Sequence, residues 1–211
     1  FIPQIQTKYF KAIHWNIFIK NCILGYFLKM VVADNLKDFT FWISFPYFQS
    51  QSSLTLIVML FGFSCQIFAD FAGYSLIAIA LAKLFGYHFN DNFNFPYISS
   101  SFKEFWKRWH ISLSSFLMEY LYIPLGGNRN GTFRTCLNLM IVMFLGGLWH
   151  GAAWSYAVWG SIHGAALVIE KLLSEKIKMT NGFLKSVKLI FVFCFVTLAW
   201  LLFKLPNFIQ V

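Results

Sequence analysis

A histidine ends a stretch of sequence that has almost no other polar group. Between Leu137 and Trp149 the only polar side chain is Asn138, and His150 follows directly in Gly147-Leu148-Trp149-His150-Gly151. An ionisable ring so deep in apolar sequence is costly unless it has a partner or a task. As a packing residue it bonds a neighbouring helix. As a functional residue it is kept neutral by desolvation, which disfavours imidazolium, and it can accept a proton near neutral pH. That capacity suits a general base acting on a hydroxyl, where a positioned base contributes on the order of 100–10,000-fold. Gly146, Gly147 and Gly151 remove side chains around it, which permits close helix packing or a path for substrate.

Two further clusters interrupt apolar sequence. In Gln66-Ile67-Phe68-Ala69-Asp70-Phe71-Ala72-Gly73-Tyr74-Ser75, helical spacing puts Gln66, Asp70 and Tyr74 on one face. Gln66 and Tyr74 are then local donors for a carboxylate that would otherwise be expensive to bury, in a polar clamp between helices or in direct catalysis. In Phe105-Trp106-Lys107-Arg108-Trp109-His110-Ile111-Ser112, His110 lies one turn from Lys107 and from Ser114. Nearby cations disfavour its protonated form, and Lys107 and Arg108 could equally bind lipid headgroups. His163 reads as packing, and His14 and His88 have no comparable surroundings. The absence of a G-x-S-x-G elbow, a phosphate-binding glycine loop and an H-E-x-x-H zinc motif removes the main support for hydrolase, nucleotidase and metalloprotease readings. No metal site is expected.

Helices in a bilayer are the elements that must position these groups. The chain has 211 residues, 58% apolar and 21% aromatic, with 27 Phe and only 12% charged residues. A soluble domain carries about 25% charged residues. An all-α polytopic membrane protein is the simplest class, and the net charge of +9, clustered between apolar runs, reads as topology and not as a nucleic-acid footprint. Candidate membrane-associated helices fall at roughly 10–33, 53–85, 101–122, 134–150, 152–173 and 187–204. The second exceeds the ~20 residues that span the hydrocarbon, so it must tilt, emerge or break, with Gly73 the weak point. Segment 101–122 has apolar residues every three or four positions and polar rows between, which predicts one amphipathic interfacial helix. Cys22, Cys65, Cys136 and Cys194 are isolated in apolar sequence and expected to be buried and inert.

The 171–188 connection holds Lys171, Lys176, Lys178, Lys185 and Lys188 against Glu175, and 101–134 holds Lys103, Lys107, Arg108, Arg129 and Arg134 against Glu104 and Glu119. Two spans separate these regions, so both fit the cytoplasmic side, and the 34–51 connection, with Asp34, Lys37 and Asp38, falls opposite. His150, roughly 24 Å along a helix from Arg134, then lies deep in the membrane or towards its far face. The opening Phe1-Ile2-Pro3-Gln4, with no initiating Met, reads as the interior of a longer chain.

Five motifs in order carry a resemblance: Asp70-Phe71-Ala72-Gly73-Tyr74-Ser75, Asn92-Phe93-Asn94-Phe95-Pro96-Tyr97, Phe105 through Ser114, Tyr120-Leu121-Tyr122-Ile123-Pro124-Leu125-Gly126-Gly127-Asn128-Arg129, and Gly147 through Gly151. Together they resemble the membrane-bound O-acyltransferase (MBOAT) family, in its branch of bacterial alginate O-acetylation membrane subunits. The resemblance implies a single helical funnel over 1–211, the central to C-terminal portion of a longer protein. It implies no bound cofactor, with acetyl-CoA or a similar cytoplasmic acyl donor as substrate. The acceptor would be a hydroxyl of an extracytoplasmic polysaccharide, reached directly or through an extracytoplasmic acyltransferase partner. Other expected partners are membrane lipids and no nucleic acid, in a multi-pass protein of the bacterial inner membrane.

The family's near-invariant histidine maps onto His150 and its second motif histidine onto His110, the two candidate catalytic residues. Gln66, Asp70, Arg108 and Trp149 are candidate substrate-binding residues. Two positions depart from the branch: Met118-Glu119 stands where Arg-Asp is common, and Leu76 where Asp is common. The alternative class is a transporter or acyl-donor conduit whose intramembrane polar groups only line a path.

Overall fold

The computed structural model describes residues 4, 9, 13–174 and 182–205, all helix, turn and loop with no strand among them. Residues 10–12 of the first expected segment, and Glu175, Lys176 and Lys178 of the basic connection, lie outside the described residues. Four stretches are long and apolar enough to cross a membrane: Trp15–Ile43, Ser53–Leu84, Gly131–Trp149 and Gly182–Lys204. The protein is thus an all-α, multi-pass membrane chain. It divides into two compact units, one of residues up to Trp42 with Ile57–Asn92, the other of Ile43–Leu56 with the chain from Phe93 onward.

In the first unit, α1 (Trp15–Tyr26) runs through a π-helical stretch, Phe27–Ala33, into α2 (Asp34–Thr40). The 34–51 connection therefore begins as helix: Asp34, Lys37 and Asp38 continue the first span and do not sit in a loop. The partner helix α3 (Ser53–Leu84) is unbroken over 32 residues. Gly73 is not its weak point. A Cβ on Gly73 would come within 2.7 Å of the Gly25 carbonyl oxygen, and one on Gly25 within 2.9 Å of the Gly73 carbonyl oxygen. The glycines let two backbones touch, the use small residues have between membrane helices.

In the second unit the expected helix over 101–122 is two. α4 (Phe102–Arg108) stops, and α5 (Ile111–Leu117) begins after Trp109 in extended and His110 in left-handed conformation (φ 45°), then passes into a π-helical turn, Met118–Tyr122. The break has a tertiary cause: the Asn94 amide donates to the Arg108 carbonyl at 2.9 Å, the bond a continuing helix would make with its own next turn. Trp109 is then buried between Phe105 (5.6 Å), Phe93 (5.0 Å) and Trp200 (5.0 Å). Lys103, Lys107, His110 and Ser114 therefore do not form one helical row.

α6 (Gly131–Trp149) and α7 (Trp154–Ser174) form an antiparallel hairpin, followed by α8 (Gly182–Ala199) and α9 (Leu201–Lys204). A Cβ on Gly147 would collide with the Tyr156 carbonyl, and one on Gly160 with the Met143 carbonyl. The cysteines depart from expectation: Cys65 is exposed and Cys22, Cys136 and Cys194 are half-buried. Each helix packs only part of its circumference within its unit, which leaves apolar side chains for hydrocarbon to cover.

Candidate functional site

His150 sits at the C-terminal cap of α6, its amide bonded to the Gly147 carbonyl at 3.0 Å. The tight Gly147–Gly160 crossing brings α7 under it. Its imidazole stands edge to face with Trp159 at 5.3 Å and with Phe203 at 5.1 Å, beside Trp149 at 5.4 Å. One side of the ring thus rests on aromatic surface. His150 also lines a cavity of about 490 Å³, with Trp106, Trp159, Ser114, Tyr122, Asn128, Gly146 and Met118 in its wall. Three cations, Lys103, Lys107 and Lys171, and one carboxylate, Glu170, belong to the same wall.

That carboxylate is already engaged. Glu170 of α7 accepts the Phe102 amide at 2.5 Å and the Lys103 amide at 3.2 Å, which neutralises two free donors at the start of α4. Ser101 caps the same end by accepting the Glu104 amide at 3.0 Å. Glu104 in turn accepts the Ser100 amide at 2.9 Å and Arg108 at 2.8 Å. The Ser100 amide, helped by its hydroxyl and by Arg108, holds the Glu104 carboxyl below the usual carboxylate range, against burial, which acts the other way. Arg108 also donates to the Asn94 carbonyl at 3.2 Å, so both ends of this guanidinium are used in holding α4 and its neighbouring loop. Tyr122 donates to Asn128, both in the cavity wall, and Asn138 donates to the Leu125 and Gly127 carbonyls at 3.1 and 3.0 Å. The isolated polar residue of α6 thus ties down the Gly126-Gly127 turn, where φ is +102° and +53°.

The structure brings part of the expected site together. His110 and His150 both approach Trp149, at 6.4 and 5.4 Å ring to ring, but only His150 belongs to the cavity wall. Burial pushes the His110 imidazole down to about 4, and proximity to His150 adds to the effect. A non-glycine residue held at positive φ costs about 1–3 kcal/mol and persists only where its surroundings impose it. Trp149 itself is 65% exposed.

Gln66 and Asp70 belong to the other unit and find partners there. Lys29 donates to Asp70, and Thr40, fully buried, donates to Gln66 at 2.5 Å. These donors come from the neighbouring helix; Tyr74, expected as a local donor, is 65% exposed. Of the two departing positions, Met118 lines the cavity and Leu76 lies in α3. Sequence reading missed Trp159, Phe203 and Glu170. The last had a signal, since it is the only acidic residue of α7.

The family model for the membrane-bound O-acyltransferases matches residues 4–209. A probable alginate O-acetylase of Azotobacter vinelandii is 42% identical over 186 residues, covering 87% of this chain and 36% of that protein. A peptidoglycan O-acetyltransferase of Helicobacter pylori is 38% identical over 98% of this chain and 40% of its own length. A teichoic acid D-alanyltransferase of Streptococcus thermophilus is 32% identical over 77% of this chain and 42% of its own length. The chain thus spans less than half the length of each of these relatives.

Proposed function

The chain belongs to the membrane-bound O-acyltransferase family, and on that footing we propose that it supplies the transfer site of a multi-pass O-acyltransferase of the bacterial inner membrane. The reaction moves an acyl group, acetyl in the simplest case, from a cytoplasmic thioester donor to a hydroxyl of an extracytoplasmic cell-envelope polymer or of a relay partner. His150 takes the proton of the attacking hydroxyl while its oxygen bonds the thioester carbonyl carbon. The carbon–sulfur bond then breaks, and the thiolate leaves with that proton as a free thiol. The observation that carries this reading is the composition of one cavity wall: a single imidazole, His150, together with three lysines.

An ammonium cluster is suited to a phosphate-bearing donor such as acetyl-CoA. Lys103, Lys107 and Lys171 would grip its phosphates, with the thioester directed to His150. The basic residues of 101–134 support a donor end on the cytoplasmic side, by the positive-inside rule. His110, outside the cavity wall, supports Trp149, and Arg108 serves the integrity of α4. Gln66 and Asp70 act as a clamp between helices, since each already has a partner.

The named acceptors of the relatives, alginate, peptidoglycan and teichoic acid, support a hydroxyl-bearing envelope polymer as acceptor. The test uses membrane vesicles containing the intact protein and labelled acetyl-CoA. His150→Ala should abolish alkali-labile acetyl ester while protein abundance in the membrane stays unchanged. Near-normal ester formation in that variant would sink the assignment, and label uptake without ester would favour a conduit.

A further inference from the structure

His163 of α7 is wholly buried, and neither of its ring nitrogens has a hydrogen-bond partner among the described residues. Its ring lies 5.2 Å from the Trp106 indole and 4.8 Å from the Trp159 indole, edge to face in both cases, and the two indoles are 5.7 Å apart. Both indole N–H groups are buried and without an acceptor among the described residues. Three side chains in mutual contact therefore hold two unused donors beside an imidazole that, when neutral, offers one donor and one acceptor. Phe105 stacks on the same imidazole at 6.3 Å and Phe195 closes another side at 5.7 Å.

Packing alone does not account for this choice of residue. A phenylalanine would fill an aromatic box of this kind without the cost of burying two polar nitrogens. Buried polar atoms on rings in mutual contact can be served by an internal water, which needs two to four such partners. A water here accepts from the two indole N–H groups and donates to the unprotonated imidazole nitrogen, which links all three side chains and leaves only the imidazole N–H without a bond. The consequence reaches the site, because Trp106 and Trp159 form part of the cavity wall and Trp159 is the ring on which His150 rests, at 5.3 Å.

We infer that His163 is a positioning residue for His150: with a buried water it forms a hydrogen-bonded node that fixes the Trp106 and Trp159 rings behind the catalytic imidazole. His163 touches neither donor nor acceptor. It acts by holding the aromatic surface that sets where the His150 nitrogen points, and small displacements of a reacting group are expensive in rate.

This inference rests on the acyl-transfer reading, and one set of variants of the intact protein in labelled-acetyl-CoA vesicles separates the two. His163→Phe keeps the ring and removes the nitrogens; His163→Gln keeps a donor and an acceptor. We expect His163→Phe to lower the maximal rate of ester formation about tenfold, with KM for acetyl-CoA and membrane abundance unchanged. His163→Gln should recover to within about threefold of the parent rate, since it can still bond the water. In a Trp159→Phe background, His163→Phe should cost nothing further, because its route to His150 is already cut.

A fully active His163→Phe overturns the inference. So does a His163→Gln variant worse than His163→Phe, or the failure of both to accumulate in the membrane, since each is the pattern of a plain packing residue. Continued activity of His150→Ala would instead remove the acyl-transfer reading, whatever the His163 variants do.

Discussion

The two compact units place polar groups in apolar helices in opposite ways. In the first, Asp70 is matched with Lys29, Gln66 with Thr40, and Ser75 with Asn92 at 3.2 Å. In the second, the imidazole of His150 opens on a cavity beside three lysines, and His163 keeps two nitrogens with no hydrogen-bond partner among the described residues. A buried polar group whose bonds are complete stabilises one arrangement of helices and has nothing left to offer a substrate. Groups with unused capacity cost stability, and such groups concentrate where chemistry is done. Under the proposed function, the difference supports architecture for the first unit and transfer for the second, although the sequence of both shows isolated polar residues in apolar runs.

Variants can break this contrast, and the largest expected effect is that of His150→Ala. A loss of about 100-fold or more in ester formation at constant abundance is expected there. A comparable loss of rate per folded molecule from Asp70→Asn would erase the distinction between the units.

The next effect compares two glycine crossings. Gly160→Ala drives a Cβ into the Met143 carbonyl, and Gly25→Ala places one 2.9 Å from the Gly73 carbonyl. Each should cost about 1–3 kcal/mol, read as a lower thermal midpoint in detergent. Only Gly160→Ala should also lower the rate per folded molecule, because α6 carries His150 at its end. Equal rates in both would detach the crossing from the site.

Lys29→Met removes one partner of an ion pair and leaves a carboxylate behind. The midpoint should fall by about 2–5 °C, and the double variant Lys29→Met/Asp70→Leu should regain most of it, with ester formation unchanged throughout. Glu170→Gln weakens the anionic cap of α4 and should cost about 1 kcal/mol by chemical denaturation.

The smallest effect is one of pH. His110 stays neutral in the folded chain down to about 4, against an ordinary value of 6.5. As pH falls between these values the unfolded chain takes up a proton that the folded one refuses, so stability is lost on the acid side. His110→Gln should flatten that slope in a pH series of unfolding midpoints. An unchanged slope would show that the His110 environment is not dry.

Much of the helical plan was legible because apolar length is a local property. The spans that became α3, α6 and α8 with α9 were read within a few residues, and all are long and apolar enough to cross a membrane. The role of Gly73 was not legible, since a helix break and a helix crossing call for the same small residue, and only the approach of Gly25 tells them apart. The break at His110 was hidden for a related reason. Its apolar spacing fits a continuous helix, but a bond from Asn94, distant in sequence, takes the Arg108 carbonyl. The candidate site was legible where one residue carried the signal, as at His150, and not where a wall had to be assembled from α4, α5, α6 and α7.

The sequence by itself determined that this chain is helical, that it enters a membrane, that it carries the motifs of its family, and that His150 is an anomaly needing a partner or a task. Hydrophobicity and residue type settle such matters, because transfer into hydrocarbon is scored residue by residue. The tertiary structure alone decided which polar residues are satisfied and which remain available. Hydrogen bonds and ion pairs between helices join positions such as Lys29 and Asp70, 41 residues apart, or Glu170 and Phe102, 68 apart. No local pattern encodes those distances; the packing of glycine-lined helices does.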